Sequence, residues 1–209
     1  MKKVIKVEDP KMSIFLLQPS RPIFCTTKNE DGSDHAAPFG WLMPISFNPP
    51  RVALSLQNER GQKYSSSLKN AMREREFVVN VPKMGMEFPL VQSSYMLENH
   101  SCKFDRLGSA RIDSQLVKPK KIADCVAFLE CKVYDIIDDG KGDHTTLLAD
   151  IVYADFEEGC YDEMMCPVIS KFKPILSLKE YRHPDHQTHV FLDPATEYEV
   201  VVPYEKPLS

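Results

Sequence analysis

Apolar and polar side chains alternate most regularly in the second half of the chain, over residues 125–133. Every second residue there is apolar, and a period of two is typical of a β-strand with one buried face. The turn residues Asp138 and Gly140 follow, and residues 145–156 then return with many strand-forming side chains. The pattern therefore predicts a β-hairpin in this part of the chain.

The first half of the chain mixes strand and helix patterns. Strand-forming residues predict strands at residues 22–28, 51–57 and 77–82, and a further strand should follow the turn at Asp31 and Gly32. Apolar residues with helical spacing predict two helices, at residues 65–75 and 87–98. Because the strands are short and do not alternate regularly with helices, the order of elements favours an antiparallel barrel over a doubly wound sheet.

Length and composition fit a single globular domain. The chain has 209 residues, of which 43% are hydrophobic, and this is enough to bury a core of its own. We expect one domain over residues 1–209, with a proline-punctuated tail at 167–209 that packs on the domain or on a partner subunit.

Charge and cysteine usage narrow the partners and the compartment. The net charge is −4, and such mild acidity argues against nucleic acid as a partner. The one short basic run, at residues 118–121, predicts a solvated loop or a strand edge. No apolar run is long enough to cross a membrane, the N-terminus lacks the apolar core of a signal peptide, and the six cysteines form no CxxC pair. We therefore predict a cytoplasmic protein with reduced thiols.

The segment after the predicted strand 51–57 is the strongest candidate for binding a phosphate. It supplies the cations Arg60 and Lys63, the hydroxyls of Tyr64 and Ser65, and the start of a helix, where free N–H groups attract anions. The alternative, which is the commoner use of such residues, is a capped helix with solvated cations. Neither a GxGxxG motif nor a P-loop motif occurs in the sequence, so those two kinds of nucleotide site are not supported.

Three histidines with a spacing of three, His183, His186 and His189, suggest zinc as a ligand. Their segment contains a proline and has no cysteine at a ligand spacing beside it, so the spacing does not place the three rings on one face. A solvated loop is the better interpretation, and we predict no metal site.

Two further residues are candidates for contact with a bound anion or a cleft. His144 follows Asp143 at the start of the return strand of the hairpin, where an imidazole can reach the mouth of a barrel. Lys103 precedes Phe104, and a long side chain beside an apolar residue can extend to a buried anion. Each has a simpler alternative, since a single histidine is more often structural and most lysines are solvated.

Four segments stand out when they are read in order. They are DGSDHAAPFGWLMPISFNPPRVALSL, KYSSSLKNAMREREFVVNVP, CKFDRLG and the short sequence GDH before a predicted strand. In this order they resemble the flavin reductase-like, FMN-binding split-barrel family, which includes flavoredoxin. Each segment alone is weakly specific, but the resemblance covers roughly residues 14–172 and keeps the order of the family.

The resemblance implies a closed antiparallel split β-barrel with Greek-key connections, a homodimer, and FMN near the subunit interface. The flavin ring would lie along Phe39, Gly40, Trp41 and Met43, with Ser46 and Gln57 lining the pocket. The phosphate would meet the candidate anion-binding residues Arg60, Lys63, Tyr64 and Ser65. The flavin or its phosphate arm would also be approached by Lys103, by Phe172 and by His144, the candidate catalytic residue.

We therefore expect an FMN-dependent oxidoreductase that takes electrons from NADH, NADPH or a redox protein and passes them on through the bound flavin. Reduced flavin carries negative charge near N1 and the C2 carbonyl, which a lysine, a histidine or a backbone N–H would stabilise. Two alternatives stay open: a flavin-binding electron carrier or flavin store without turnover, and a flavin-free dimeric binding module. Neither a membrane nor a nucleic acid is expected as a partner.

Overall fold

The computed structural model describes residues 4–58, 65–94, 103–138, 140–178 and 190–192. Its strands are β1 (Ile23–Lys28), β2 (Asp34–Phe39), β3 (Leu42–Phe47), β4 (Pro50–Gln57), β5 (Glu76–Val81), β6 (Arg111–Ile112), β7 (Lys121–Ile122), β8 (Ala127–Ile137), β9 (His144–Phe156), β10 (Leu176–Leu178) and β11 (Val190–Leu192). Its helices are α1 (Ser66–Glu74), α2 (Glu87–Ser94) and the 3-10 helices Pro10–Leu17 and Lys103–Leu107. The described part of the chain is thus mainly β with few helices, as the sequence predicts. None of these described helices is both long and apolar enough to span a membrane.

Seven strands form one antiparallel sheet in the order β2-β1-β5-β8-β9-β4-β3. Its longest ladder is the hairpin of β8 and β9, in which Ala127 pairs with Phe156 and Ile137 pairs with Thr146. This confirms the hairpin predicted from the alternating pattern. Two smaller antiparallel sheets also form, one from β6 and β7 and the other from β10 and β11.

The closure expected of a barrel is not formed among the described residues. The strand ladder ends at β2 on one side and at β3 on the other, with no pairing between them. Each of these strands contains a proline, Pro38 or Pro44, which lacks the N–H needed to extend a ladder, and β3 also has a bulge between Pro44 and Ser46. Only Gly40 and Trp41 separate the two strands in sequence, so the sheet has to curl until its two edges come close at this connection.

The main hydrophobic core joins the large sheet to α1. Its fully buried residues come from five strands and the helix, and they include Leu54, Leu56, Leu68, Phe77 and Leu147. Burial of each such side chain contributes roughly 1.5–3 kcal/mol relative to exposure. This packing fixes the start of α1 against the sheet, shortly after the end of β4.

Two sequence predictions are wrong on the second face of β8. The alternating pattern predicts one buried face, and the basic run predicts solvent exposure for Lys121. In the structure Glu130 is 0% exposed and Lys121 is 1% exposed, with 3.0 Å between Nζ and Oε1. The reason is that the chain between β6 and β7 folds over this face. It supplies the backbone N–H groups of Gln115 and Leu116, which donate to Glu130 at 2.8 and 2.6 Å, and Lys121 follows it as the first residue of β7.

The start of the tail packs on its own domain. Phe172 and Ile175 are buried, and Ser177 exchanges two backbone hydrogen bonds with Ser20, at 3.0 and 2.8 Å. Apart from β11, the rest of the tail from residue 179 onward lies outside the described residues. Its contact with a partner subunit therefore stays a prediction.

Candidate functional site

Five of the predicted site residues line one cleft of about 510 Å³. Phe39 ends β2, Gly40 and Trp41 form the connection to β3, Gln57 ends β4, and His144 begins β9. Ligand pockets in proteins measure about 300 to 1,000 Å³, so the cleft has the size of a site for a small organic molecule or cofactor. The structure therefore brings together residues that lie far apart in the sequence.

Strand register and close packing position these residues. Gln57 pairs with His144 where β4 and β9 run side by side. Gly40 approaches the N-terminal segment so closely that an added Cβ atom would lie 3.1 Å from the Oγ of Ser20. The absence of a side chain at Gly40 thus lets the connection between β2 and β3 pack against the segment that precedes β1.

Trp41 and His144 contact each other face to face in this cleft. Their ring centroids are 4.4 Å apart and the ring planes differ by 19°. The N–H of Ser55 donates to the carbonyl of Trp41 at 3.0 Å, which holds the tryptophan backbone on β4. His144 Nδ1 also lies 2.7 Å from Oδ1 of Asp143, which lines the cleft as well. The cleft therefore contains a titratable imidazole that is held by two neighbours.

Part of the cleft lining is apolar, and the sequence patterns do not predict it. Ile14 and Phe15 reach it from the 3-10 helix Pro10–Leu17, and Leu90 and Val91 reach it from α2. The apolar run IFLL in the N-terminal segment was the available signal, but a 3-10 helix is too short to show a clear period. The cleft lining thus combines polar and titratable groups with apolar side chains.

The predicted phosphate site lies mostly outside the described residues, because Arg60, Lys63 and Tyr64 belong to segment 59–64. Ser65 is described and takes the N-cap position of α1, but its side chain makes no capping hydrogen bond. Its Oγ is buried and has no hydrogen-bond partner in the described part of the chain. Buried hydroxyls are normally satisfied, so this one, beside the free N–H groups of a helix start, fits an anionic ligand.

The remaining predicted residues do not meet in the cleft. Met43 and Ser46 lie on the edge strand β3, where Met43 is 64% exposed. Phe172 is 4% exposed and packs in a separate core cluster, so it does not line the cleft. Lys103 begins a 3-10 helix, but its side chain lies outside the described part of the structure. The three histidines of the zinc alternative also lie outside it, so the prediction about them stays a prediction.

Three thiols of the described residues are suited to packing rather than to reaction. Burial raises the pKa of Cys25, Cys125 and Cys131 well above the ordinary value of a cysteine. A thiol that stays protonated is a poor nucleophile and a poor redox partner. These three cysteines are therefore not candidates for the chemistry of the cleft.

Comparison with known proteins identifies the family. The sequence matches the family described as "Flavin reductase like domain" over residues 17–174, which is more than half of the chain. The protein therefore belongs to the flavin reductase-like domain family, and the resemblance drawn from its sequence segments is confirmed. This membership supports a flavin-related oxidoreductase.

Solved structures share the fold at low sequence identity. Nitrilotriacetate monooxygenase component B from Bacillus cereus is 17% identical with a TM-score of 0.79, over 96% of this chain and 100% of that chain. Flavoredoxin from Methanosarcina acetivorans is 19% identical with a TM-score of 0.74, over 96% and 95%. An FMN-binding protein from Thermus thermophilus, with bound 1-cyclohex-2-enone, is 16% identical with a TM-score of 0.69, over 97% and 100%. At such identities the likeness shows the fold alone.

Proposed function

We propose that the protein is an FMN-dependent oxidoreductase whose flavin ring binds in the cleft beside Trp41. The observation that carries the proposal is the convergence of Phe39, Gly40, Trp41, Gln57 and His144 in one cleft, because the family resemblance assigns each of them to the flavin site. The flavoredoxin and the FMN-binding protein that share the fold support flavin as the cofactor, and FMN in particular.

The cleft suits a flat ring with polar edges. Phe39 and Trp41 offer aromatic surface in the cleft, and Ile14 and Phe15 add further apolar surface. The side-chain amide of Gln57 can both donate and accept hydrogen bonds at the edge of the ring. Sites for such ligands combine apolar walls with a few placed polar groups, and the cleft has this composition.

The start of α1 would hold the FMN phosphate. The buried, unsatisfied Oγ of Ser65 can donate a hydrogen bond to a phosphate oxygen, and the free N–H groups of the first helical turn add others. Arg60 and Lys63 would supply positive charge from the segment just before the helix. Only residues 58–64 separate Gln57 in the cleft from Ser65, so the ring site and the phosphate site are close along the chain.

When bound, FMN supplies the electron chemistry, because it accepts electrons from a donor and passes them to an acceptor. The chain's own residues bind the ring, shield it from water and hold a proton at His144 beside it. The donor would be a reduced nicotinamide or a redox protein. The apolar surface of Ile14 and Phe15 would accommodate the second molecule next to the flavin.

A homodimer would cover the exposed edge of the sheet. On the edge strand β3, Met43, Ile45 and Phe47 are large apolar residues that are 64%, 44% and 100% exposed. An unpaired edge strand with exposed apolar side chains favours association with another chain. A second copy on this strand would also account for the position of Met43 and Ser46 outside the cleft of their own chain, because they would then face the partner.

The colour and redox response of the purified protein test the proposal. Bound FMN gives the yellow absorbance of a flavin, and chromatography of the released cofactor distinguishes FMN from FAD. Addition of NADH or NADPH without oxygen should bleach the absorbance at a saturable rate. A protein that neither carries nor takes up FMN would contradict the proposal and favour the flavin-free binding module. A yellow protein that only dithionite bleaches would favour the carrier or store.

A further inference from the structure

The imidazole of His144 is held by two neighbours that act in different directions. In the plane of the ring, Nδ1 lies 2.7 Å from Oδ1 of Asp143. On one face of the ring, the indole of Trp41 stacks at 4.4 Å between centroids, with 19° between the planes. The hydrogen bond opposes a flip of the ring and the stacking opposes a tilt. Together the two contacts restrict the imidazole to one orientation.

The hydrogen bond also determines which nitrogen of His144 carries the proton. An ionised carboxylate can only accept hydrogen bonds, so Nδ1 has to be the donor to Asp143. Neutral His144 is then the Nδ1–H tautomer, with a lone pair on Nε2. Among the residues that the structure describes, Nε2 makes no hydrogen bond, although the side chain lines the cleft. Nε2 is therefore the ring nitrogen that a bound ligand can use.

The backbone keeps Asp143 next to the cleft. The N–H of Asn58 donates to the carbonyl of Asp143 at 2.8 Å, directly beside the pair formed by Gln57 and His144 across β4 and β9. The carboxylate itself is exposed, so its charge needs little desolvation. Of the described residues that line the cleft, Asp143 is the charged group that faces His144.

We propose that Asp143 and Trp41 are positioning residues that hold His144 with Nε2 toward the cleft, as the atom that exchanges a proton with the bound ligand. A proton taken from solvent at Nε2 passes to the ligand as the ligand gains electrons from the reduced nicotinamide or redox protein. The Nδ1 proton stays on the side of Asp143 throughout. Trp41 contributes a second effect, since the face of an indole attracts a positively charged imidazolium. The inference rests on the proposed function for the identity of the ligand.

Nitrogen-15 NMR of the flavin-free protein tests the geometry without any cofactor. Above neutral pH, labelled histidines report their tautomer, and His144→Gln identifies the signals of His144. We expect the Nδ1–H tautomer in the wild-type protein and a shift toward Nε2–H, the tautomer that prevails in free histidine, in Asp143→Ala. An unchanged tautomer in Asp143→Ala would overturn the positioning role of the aspartate.

The ring protons of His144 provide the matching test for Trp41. A stacked indole shifts these protons upfield through its ring current. The shift should vanish in Trp41→Ala and should persist in part in Trp41→Phe, which keeps an aromatic face. Unchanged ring-proton shifts in Trp41→Ala would overturn the positioning role of the tryptophan.

Flavin reduction kinetics test the consequence for proton transfer. In the FMN-loaded protein, kcat should fall about tenfold in Asp143→Ala and in Trp41→Ala, because positioned acid–base groups contribute roughly 10²–10⁴-fold in all. Trp41→Phe should restore most of the loss, and Asp143→Ala should leave the dissociation constant of FMN unchanged. The matched control is Asp135→Asn, which removes an exposed carboxylate from β8 while keeping an acceptor for the N–H of Ile136, and it should keep the wild-type kcat.

The NMR signatures and kcat together distinguish a failure of the positioning role from a failure of the proposed function. An altered tautomer with unchanged kcat in Asp143→Ala would overturn the role of His144 in proton exchange. Both NMR signatures in a protein that binds no FMN would support the positioning of the ring and contradict the proposed function.

Discussion

Removal of the cation Lys121 tests what stabilises the second face of β8. Lys121 is almost fully buried, and its Nζ lies 3.0 Å from Glu130 and 2.8 Å from Asp155. Glu130 is fully buried and also accepts the N–H groups of Gln115 and Leu116. The variant Lys121→Met keeps an unbranched apolar side chain but leaves the charge of Glu130 without its cation. The perturbation therefore removes one charge and preserves most of the packing.

The expected loss of stability follows from the burial of both groups. Breaking a buried ion pair by removing one partner costs about 3–5 kcal/mol, because the remaining charge is uncompensated. For a chain of this length each kcal/mol corresponds to about 2–4 °C, so Tm should fall by roughly 6–20 °C. In the double variant with Glu130→Gln both charges are gone and a carbonyl acceptor is kept. We expect it to recover about half of the loss.

Urea unfolding followed by circular dichroism measures these changes, provided that the m values of the variants agree. The matched control is Lys132→Met, which removes an exposed lysine from β8, the strand of Glu130, and should change the free energy of unfolding by less than about 0.5 kcal/mol. A loss in Lys121→Met no larger than that of the control would refute the reasoning. It would mean that Lys121 does not compensate the charge of Glu130.

The same cluster predicts how stability depends on pH. Burial by itself would raise the pKa of Glu130, but the N–H groups of Gln115 and Leu116 and the cation of Lys121 outweigh it and hold the pKa below its ordinary value. A lowered folded-state pKa contributes stability above the unfolded-state pKa, and this contribution is lost as the pH falls through the folded-state value. Below about pH 4, the wild-type protein should therefore lose stability more steeply than Glu130→Gln. Equal slopes in acid unfolding would contradict the assignment.

Three other predictions concern FMN and the cleft. The double variant Arg60→Ala with Lys63→Ala should weaken FMN binding by about tenfold or more, since hydrogen bonds to charged groups contribute about 1.5–3 kcal/mol each. Flavin fluorescence measures the affinity, and an unchanged affinity would show that the phosphate assignment is wrong. Ser65→Ala should weaken FMN binding without lowering Tm, because its Oγ makes no hydrogen bond in the described part of the structure; a lower Tm would instead indicate a capping role. Phe15→Ala should raise the KM of the second substrate and leave the dissociation constant of FMN unchanged; an unchanged KM would show that Phe15 does not contact the second substrate.

The sequence predicts the hairpin of β8 and β9 because alternation along a strand is a local property of the chain. It does not predict the burial of Glu130, which depends on where the residues between β6 and β7 fold. The alternation of apolar and polar residues along a strand does not indicate which part of the chain covers its more polar face. Lys121 shows the same limit, because a basic run favours solvent until carboxylates from β8 and β9 compensate the charge.

The candidate site, too, could be predicted only in part from the sequence. Gly40 and Trp41 could be assigned from the sequence, because a glycine and an aromatic residue between two proline-containing strands are a local signal that the family resemblance reinforces. Ile14 and Phe15 could not, since their short 3-10 helix shows no period. The stacking of Trp41 on His144 joins residues that are distant in sequence. Contacts of that kind depend on the curl of the sheet and on its strand order, which periodicity does not encode.

The edge strand β3 connects the cleft to the proposed subunit interface. Trp41 directly precedes this strand, and Phe47 at its far end is fully exposed. A second copy that covers β3 would also restrain the connection that carries Trp41, so FMN should bind the dimer more tightly than the monomer, and FMN should in turn stabilise the dimer. Phe47→Asp should therefore yield monomers in light scattering and weaken FMN binding, whereas Met164→Asp, at another exposed apolar residue, should change neither. A monomeric Phe47→Asp variant with the wild-type affinity for FMN would show that the cleft is complete within one chain.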